Sequence, residues 1–210
     1  QNFIQSFTPN MPIEFINVSS EFSPEHVKTE SRWARNHPEV EKFSIGYRHM
    51  IRFWMYPFLK YLHRYEYTIR VDEDCIVKGF PTTCLADMRR TGTKFSTGRI
   101  NWEFRDHPGV IIGVQEFADE FGRAHGYAPP ILTTEAPYNS ISITDNHFFA
   151  NSELYQKWFK SIEDDGGIYV GRWGDNVLLG IFFANFMKKS EYNEDQRIGY
   201  YHGSHNLIVN

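Results

Sequence analysis

Residues 65–75 read YEYTIRVDEDC and join two contrasting patterns. In the first seven positions, aromatic and β-branched residues alternate with polar ones, which is typical of a β-strand. Three acids, Asp72, Glu73 and Asp74, follow without interruption. Adjacent like charges repel each other and are costly to remove from water. The sequence therefore predicts a compensating partner at the end of this strand.

The composition is that of an ordinary globular protein. The chain has 210 residues, 41% hydrophobic and 23% charged, which is enough for one domain with a sizeable core. A net charge of −4 argues against a general nucleic-acid surface. The longest apolar run, residues 177–187, is too short to span a bilayer. Cys75 and Cys84 form neither a zinc pattern nor a disulfide framework, so we expect a soluble, cytoplasmic protein with one domain over residues 1–210.

Strand and helix patterns alternate along the chain. Residues 13–19 and 65–71 have the apolar alternation of strands. Apolar residues spaced by three and four predict a helix, with one face formed by Tyr47, Ile51, Trp54, Phe58 and Leu62. Pro57 should interrupt that helix. Further helices are predicted from Ser152 to about residue 165 and over about residues 176–189. This order favours an α/β fold whose sheet has several parallel neighbours and is flanked by helices.

The acids at the end of the strand form a candidate cation site. Ligands of open α/β sheets bind beyond the carboxyl ends of strands, where Asp72 and Asp74 are predicted to lie. Two converging carboxylates suit Mg²⁺ or Mn²⁺, and a cation would offset their repulsion. His202 and His205 in the tail are candidates for further ligands. A solvated turn is the simpler interpretation of so short a motif taken alone.

Several longer motifs occur together. They are YRHMIRF (residues 47–53), YTIRVDED (67–74), FFANSELYQKWF (148–159), GGIYVGRWGD (166–175) and GYYH (199–202). In this order and spacing they resemble the yeast-type α-1,2-mannosyltransferases, glycosyltransferase family 15, over roughly residues 13–203. The resemblance implies a GT-A fold, a single nucleotide-sugar domain with a mostly parallel mixed sheet. It also implies a hexosyltransferase that uses a UDP- or GDP-sugar donor and a glycan acceptor.

The resemblance further implies a metal-dependent reaction. The acidic DXD-type motif would hold Mn²⁺, or Mg²⁺, against the donor diphosphate, with Asp72, Asp74 and His202 as ligands. A cation at that position stabilises the charge that develops on the leaving diphosphate.

Donor-binding residues are implied in the same way. Tyr47, Arg48 and Arg52 of YRHMIRF would contact the donor, together with Asp72. An exposed helix face with surface ion pairs is the alternative for the two arginines.

Two departures from the family pattern concern the residues of the candidate site. The family has Glu-Pro-Asp where this chain has the three acids of residues 72–74, so the backbone shape of the motif is open. The glutamate proposed as the retaining nucleophile falls at Ser142, whose hydroxyl cannot replace a carboxylate without an activating base. We therefore predict inversion, with Asp175 as base and Asp145 in reserve. Both aspartates also suit helix N-caps, and retention through proton removal by the leaving phosphate stays open.

Two other functions compete with a sugar transferase. A non-catalytic carbohydrate-binding domain on a glycosyltransferase scaffold would keep the fold and lose the chemistry. A metal-dependent nucleotidyltransferase or hydrolase also uses clustered acids, but the sequence has no glycine-rich phosphate loop of the P-loop type. Excision from a larger, membrane-anchored protein would place the domain in the Golgi lumen instead of the cytoplasm.

Overall fold

Two β-sheets meet at the acidic turn, which comprises residues 72–74. The computed structural model describes residues 12–101, 108–132, 136–203 and 207–209. Within these residues the strands are β1 (Tyr67–Val71), β2 (Cys75–Gly79), β3 (Phe95–Thr97), β4 (Ile100–Asn101), β5 (Ala136–Pro137), β6 (Ile141–Asp145), β7 (Tyr192–Glu194), β8 (Gly199–His202) and β9 (Leu207–Val209).

Helices surround the larger sheet. Those described are α1 (Pro38–Glu41), α2 (Ile45–Met55), α3 (Leu59–Leu62), α4 (Cys84–Thr91), α5 (Val114–Ala124), α6 (Asn146–Asn151), α7 (Glu153–Asp165), α8 (Gly167–Val170) and α9 (Asp175–Phe186). Short 3-10 turns lie at Ser19–Phe22, Pro24–His26, Pro108–Val110 and Lys189–Glu191. None of the described helices is both long and apolar enough to cross a membrane.

The larger sheet has the strand order β1-β6-β3-β7. Strand β6 runs antiparallel to both β1 and β3, whereas β3 and β7 are parallel. The predicted α/β fold with a mixed sheet is therefore confirmed. The prediction that the sheet is mostly parallel is wrong for the described strands, because β6 lies between β1 and β3 and runs against both.

The second sheet continues from the acidic turn. Strand β2 starts immediately after the turn and pairs antiparallel with β8, which pairs antiparallel with β9. The turn itself is closed by a hydrogen bond from the Cys75 amide to the Asp72 carbonyl (3.0 Å). The acidic turn is thus one of the covalent links between the two sheets.

Most of the core lies between α2, α5, α7 and α9. Trp158, Trp173 and Phe182 are fully or almost fully buried there. Helix α9 is apolar on nearly all sides, which is typical of a helix enclosed by other elements. The start of α9 lies next to the acidic turn, because Arg70 binds both Asp175 at the start of this helix and Asp72 of the turn.

The helix predictions are confirmed and the first strand prediction is wrong. Helix α2 ends at Met55, before Pro57, and α7 starts after the Ser152 cap and ends at the left-handed Gly166. Residues 13–18 form no strand, and a 3-10 turn follows them. The buried Glu21 in that turn binds Arg52 and two further side chains, so this segment is held by side-chain contacts rather than by a strand ladder.

Strand β1 has the predicted alternation, but its apolar side is the exposed one. Ile69 and Val71 are 43% and 48% exposed, whereas Arg70 between them is 8% exposed. Arg70 points towards α2 and α9, where carboxylates and an aromatic ring receive it. Alternation identifies a strand but does not tell which side faces the core.

Gly167 provides a test of the packing around Trp173. A Cβ added at Gly167 would lie 2.1 Å from the Trp173 ring, and both residues are buried. We expect Gly167→Ala to lower the free energy of unfolding by about 1–3 kcal/mol, as overpacked cores do. Gly46→Ala in α2 is the matched control, since its nearest atom would be 3.7 Å away and alanine favours helices. Urea unfolding of both variants measures the difference, and equal stabilities would contradict this packing.

Candidate functional site

Arg70 compensates the charge of Asp72, the first of the three acids in the acidic turn. Its Nε and Nη2 donate to the two carboxylate oxygens of Asp72 at 2.8 and 3.3 Å, and its Nη1 donates to Asp175 Oδ2 at 2.8 Å. The Trp54 ring lies 4.7 Å from the guanidinium carbon, in a cation–π arrangement. We call Arg70, Asp72 and Asp175 the Arg70 cluster.

The Arg70 cluster carries one negative charge in excess. Burial opposes the charge of Arg70, but Asp175 and Asp72 together raise the pKa of its guanidinium above the usual value. Burial raises the pKa of Asp72 despite the opposing effect of Arg70, and the nearby Asp175 adds to that rise. One cation shared by two carboxylates leaves a negative potential next to the acidic turn, which attracts a further cation.

A second group of potential ligands lies at the start of β2. The ligand atoms of Asp74, Cys75 and His202 lie within 4.8 Å of one another. His202 Nδ1 is 3.6 Å from Asp74 Oδ2, and Cys75 and His202 are paired across β2 and β8. The amide of Gly203 donates to the Asp74 carbonyl (2.8 Å), which fixes the turn against β8. We call Asp74, Cys75 and His202 the ligand cluster.

The donor set of the ligand cluster fits a divalent cation. It combines a carboxylate, an imidazole and a thiol, which are common metal ligands. Burial, with the charges of Asp72 and Asp74, raises the pKa of the Cys75 thiol to about 11. Asp72 is absent from this cluster, because both of its oxygens bind Arg70. The structure thus brings predicted ligands Asp74 and His202 together and turns Asp72 towards Arg70; His205 lies outside the described residues.

A small cavity lies beside the Arg70 cluster. It has a volume of about 20 Å³ and is lined in part by Arg70, Asn139 and Ser142. Ser142 is the neighbour of Arg70 across β1 and β6, and Asn139 Nδ2 lies 3.4 Å from Asp175 Oδ2. The volume suits a single water molecule rather than a sugar. Among the described residues that line this cavity, none is an aspartate or a glutamate.

The two predicted bases lie near opposite ends of β1. Asp175 is the first residue of α9 and belongs to the Arg70 cluster; Gly174, not Asp175, is the N-cap. Asp145 is the N-cap of α6, accepts from the Phe148 amide (2.9 Å) and pairs with Lys94 (3.0 Å). It faces the first residue of β1, Tyr67, at the far end from the acidic turn. The structure therefore places Asp145 away from the candidate site. Its contacts there, as the cap of α6 and as the partner of Lys94, are structural.

Arg48 and Arg52 also point away from the acidic turn. Arg48 binds the backbone carbonyls of Val40 (3.0 Å) and Tyr169, and burial lowers its pKa. Arg52 is buried in ion pairs with Glu163 (2.7 Å) and Glu21 (3.3 Å). Neither arginine lies on an exposed helix face with surface ion pairs, which was the alternative to donor binding. Each is occupied by contacts that hold α2 to neighbouring segments.

Tyr47 is held by the RWGD motif. Its hydroxyl accepts from Arg172 Nη2 at 2.8 Å, and the Arg172 guanidinium lies 5.0 Å from the Tyr47 ring. Arg172 has a φ of 54°, an uncommon left-handed backbone for a non-glycine residue. Tyr47 and Arg172 therefore connect the YRHMIRF motif to the loop that leads to Asp175.

Sequence reasoning missed Arg70, Cys75 and Asn139. Arg70 appears in the sequence as one polar position of an alternating strand, and no local pattern marks its burial. Cys75 directly follows the acids, and this position in the sequence marks it as a candidate ligand of the same site. The proximity of Asn139 to Asp175 depends on a contact between distant segments.

Comparisons with known sequences confirm the resemblance to glycosyltransferase family 15. Residues 136–207 match the family described as glycolipid 2-alpha-mannosyltransferase. The probable mannosyltransferase KTR2 of Saccharomyces cerevisiae is 27% identical over 186 residues, covering 76% of this chain and 44% of that protein. The chain thus spans less than half the length of this relative.

Comparisons with solved structures show a similar fold. The mannosyltransferase Ktr4p of S. cerevisiae in complex with GDP has a TM-score of 0.74 at 18% identity, over 96% of this chain and 59% of that chain. Core-mannan synthase A of Aspergillus fumigatus, in its Mn/GDP form, has a TM-score of 0.68 at 18% identity, over 86% and 57% of the two chains. These likenesses establish the α/β fold.

The buried ion pairs of Arg70 predict a large effect on stability. Arg70→Met should cost about 3–5 kcal/mol of the free energy of unfolding, because it leaves two carboxylates without their cation. Arg89→Met is the matched control: Arg89 pairs with Glu66 through side chains that are 61% and 40% exposed, so its effect should be far smaller. Guanidinium unfolding of both variants measures this, and a similar loss in both would contradict the role of Arg70.

Proposed function

We propose that this chain, a relative of the yeast-type α-1,2-mannosyltransferases, is a divalent-cation-dependent glycosyltransferase domain of GT-A type. It moves a hexose, mannose by analogy with the relatives, from a guanosine diphosphate sugar to a hydroxyl of a glycan acceptor. The observation that carries the proposal is that the charged Arg70 cluster and the ligand cluster lie next to each other at the carboxyl end of β1. The names of the relatives and their GDP-bound structures support the choice of sugar and nucleotide.

Asp74 and His202 are the residues that would hold the cation. Mn²⁺ is the leading candidate because core-mannan synthase A, a neighbour in fold, is described in a Mn/GDP form. A bound cation would supply a Lewis acid for the diphosphate leaving group. The excess negative charge of the Arg70 cluster favours cation binding at the adjacent turn. Asp72, fixed by Arg70, would face the donor rather than the cation.

The roles of the remaining residues follow from their positions. Asp175 stays our proposed base, held in orientation by Arg70 and Asn139. Asp145 has no proposed role in catalysis, because it caps α6 at the other end of β1. We propose that Tyr47 acts on the donor through Arg172 and the RWGD loop. Arg48 and Arg52 would support α2 without touching the donor.

One observation favours the non-catalytic alternative. Asp175 is ion-paired with Arg70 at 2.8 Å, so its carboxylate already has a buried partner and would have to reach an acceptor hydroxyl while keeping that pair. A carbohydrate-binding domain would keep this pair for its structural value alone. Release of nucleoside diphosphate distinguishes the two functions, since a binding domain would bind sugar without turnover.

The first functional prediction concerns Asp74. We expect Mn²⁺-dependent binding and turnover of GDP-mannose in the unmodified chain, and at least a hundredfold loss of turnover in Asp74→Asn, because the cation loses a charged ligand. Glu73→Gln is the matched control: Glu73 is the exposed neighbour in the same turn, and the change removes the same charge. GDP release with and without Mn²⁺ gives the measurement. Equal activity in the two variants would refute the assignment of Asp74.

The second functional prediction concerns stereochemistry. With no carboxylate at Ser142, we expect the first-formed product to have inverted anomeric configuration, read by NMR. Asp175→Asn should lower kcat by about 10²–10⁴-fold, the usual contribution of a general base. Asp72→Asn also removes a partner of Arg70 and should mainly raise the KM for the donor. A retained configuration with little loss of kcat in Asp175→Asn would leave Asp175 as a structural partner of Arg70.

A further inference from the structure

We propose that Cys75 is a third protein ligand of the cation, so that its thiolate strengthens the binding of Zn²⁺ and Co²⁺ more than that of Mn²⁺. This inference rests on the proposed function in one respect, namely that Asp74 and His202 hold a cation. It goes further by naming Cys75 as an additional ligand and by predicting which metal ions the thiolate favours.

The strand register places Cys75 for this role. Cys75 and His202 are directly opposite each other in the antiparallel pair of β2 and β8, so their side chains leave the sheet on the same face. Asp74 precedes Cys75 and is tied to β8 through the amide of Gly203. All three ligand atoms lie within 4.8 Å of one another.

The distances are close to those of a metal site. Bonds of about 2.0–2.3 Å in tetrahedral geometry separate ligand atoms by roughly 3–4 Å. The 3.6 Å between His202 Nδ1 and Asp74 Oδ2 already falls in this range. Small side-chain movements within the ligand cluster would bring the Cys75 sulfur into the same range.

The chemistry of the ligand cluster determines the preferred metal. Mn²⁺ favours carboxylate, carbonyl and water oxygens, whereas thiolate and imidazole favour Zn²⁺ and Co²⁺. One carboxylate, one imidazole and one thiolate are typical zinc ligands, and three protein ligands leave a fourth position open. A diphosphate oxygen of the donor would fit that open position, so the inference is compatible with the proposed transfer.

Cobalt spectroscopy tests the sulfur bond directly. Titration of the metal-free chain with Co²⁺ should produce a thiolate-to-cobalt charge-transfer band in the near ultraviolet. Cys75→Ala should abolish this band and weaken Co²⁺ and Zn²⁺ binding by on the order of 10-fold or more, with a smaller effect on Mn²⁺. Cys84→Ala is the matched control, because Cys84 is the other cysteine of the chain, is buried, and does not belong to the ligand cluster.

The outcomes test the role of Cys75 independently of the proposed transferase function. Co²⁺ binding without the band, or a band that persists in Cys75→Ala, would overturn the role of Cys75; Mn²⁺-supported transfer would then leave the proposed function intact. A band that depends on Cys75 would support the third ligand even if the chain failed to release GDP from GDP-mannose. Circular dichroism and a second variant, Cys75→Ser, distinguish a lost ligand from a lost fold.

Discussion

A buried guanidinium with carboxylates on two sides holds the candidate site to the fold. Arg70 belongs to β1, Asp72 to the acidic turn and Asp175 to the first turn of α9, so one cation joins a strand, a turn and a helix. An unpaired charge at this depth costs several kcal/mol, so each member of the Arg70 cluster restricts the other two. The position of Asp74, two residues beyond Asp72, depends on this pairing.

The acidic turn transmits that constraint to the second sheet. The turn is followed by Cys75, where β2 begins beside β8, and the register of this pair places His202 next to Asp74. The ligand cluster therefore needs both the Arg70 cluster, which fixes the turn, and the β2–β8 pair, which supplies the histidine. A function that uses a cation here would be sensitive to changes in either element, even where the changed residue touches neither metal nor substrate.

Many features of the fold could be predicted because their causes are local. The end of α2 before Pro57, and the Ser152 and Gly166 boundaries of α7, follow from backbone geometry and capping within a few residues. The carboxyl-end position of the acids follows from the strand pattern that precedes them. The pairing of Asp74 with His202 was also expected, although it rested on the family resemblance rather than on local pattern.

By itself, the sequence determined where β1 ends, that its acids need compensation, and which helices flank it. The tertiary structure alone decided which face of β1 is buried, because alternation is the same for both faces and only the neighbouring α2 and α9 break that symmetry. It also decided that Arg70 is the compensating group, that Arg48 and Arg52 face other partners, and that Cys75 stands opposite His202. Each of these depends on contacts between residues far apart in the chain, and no local pattern encodes such contacts.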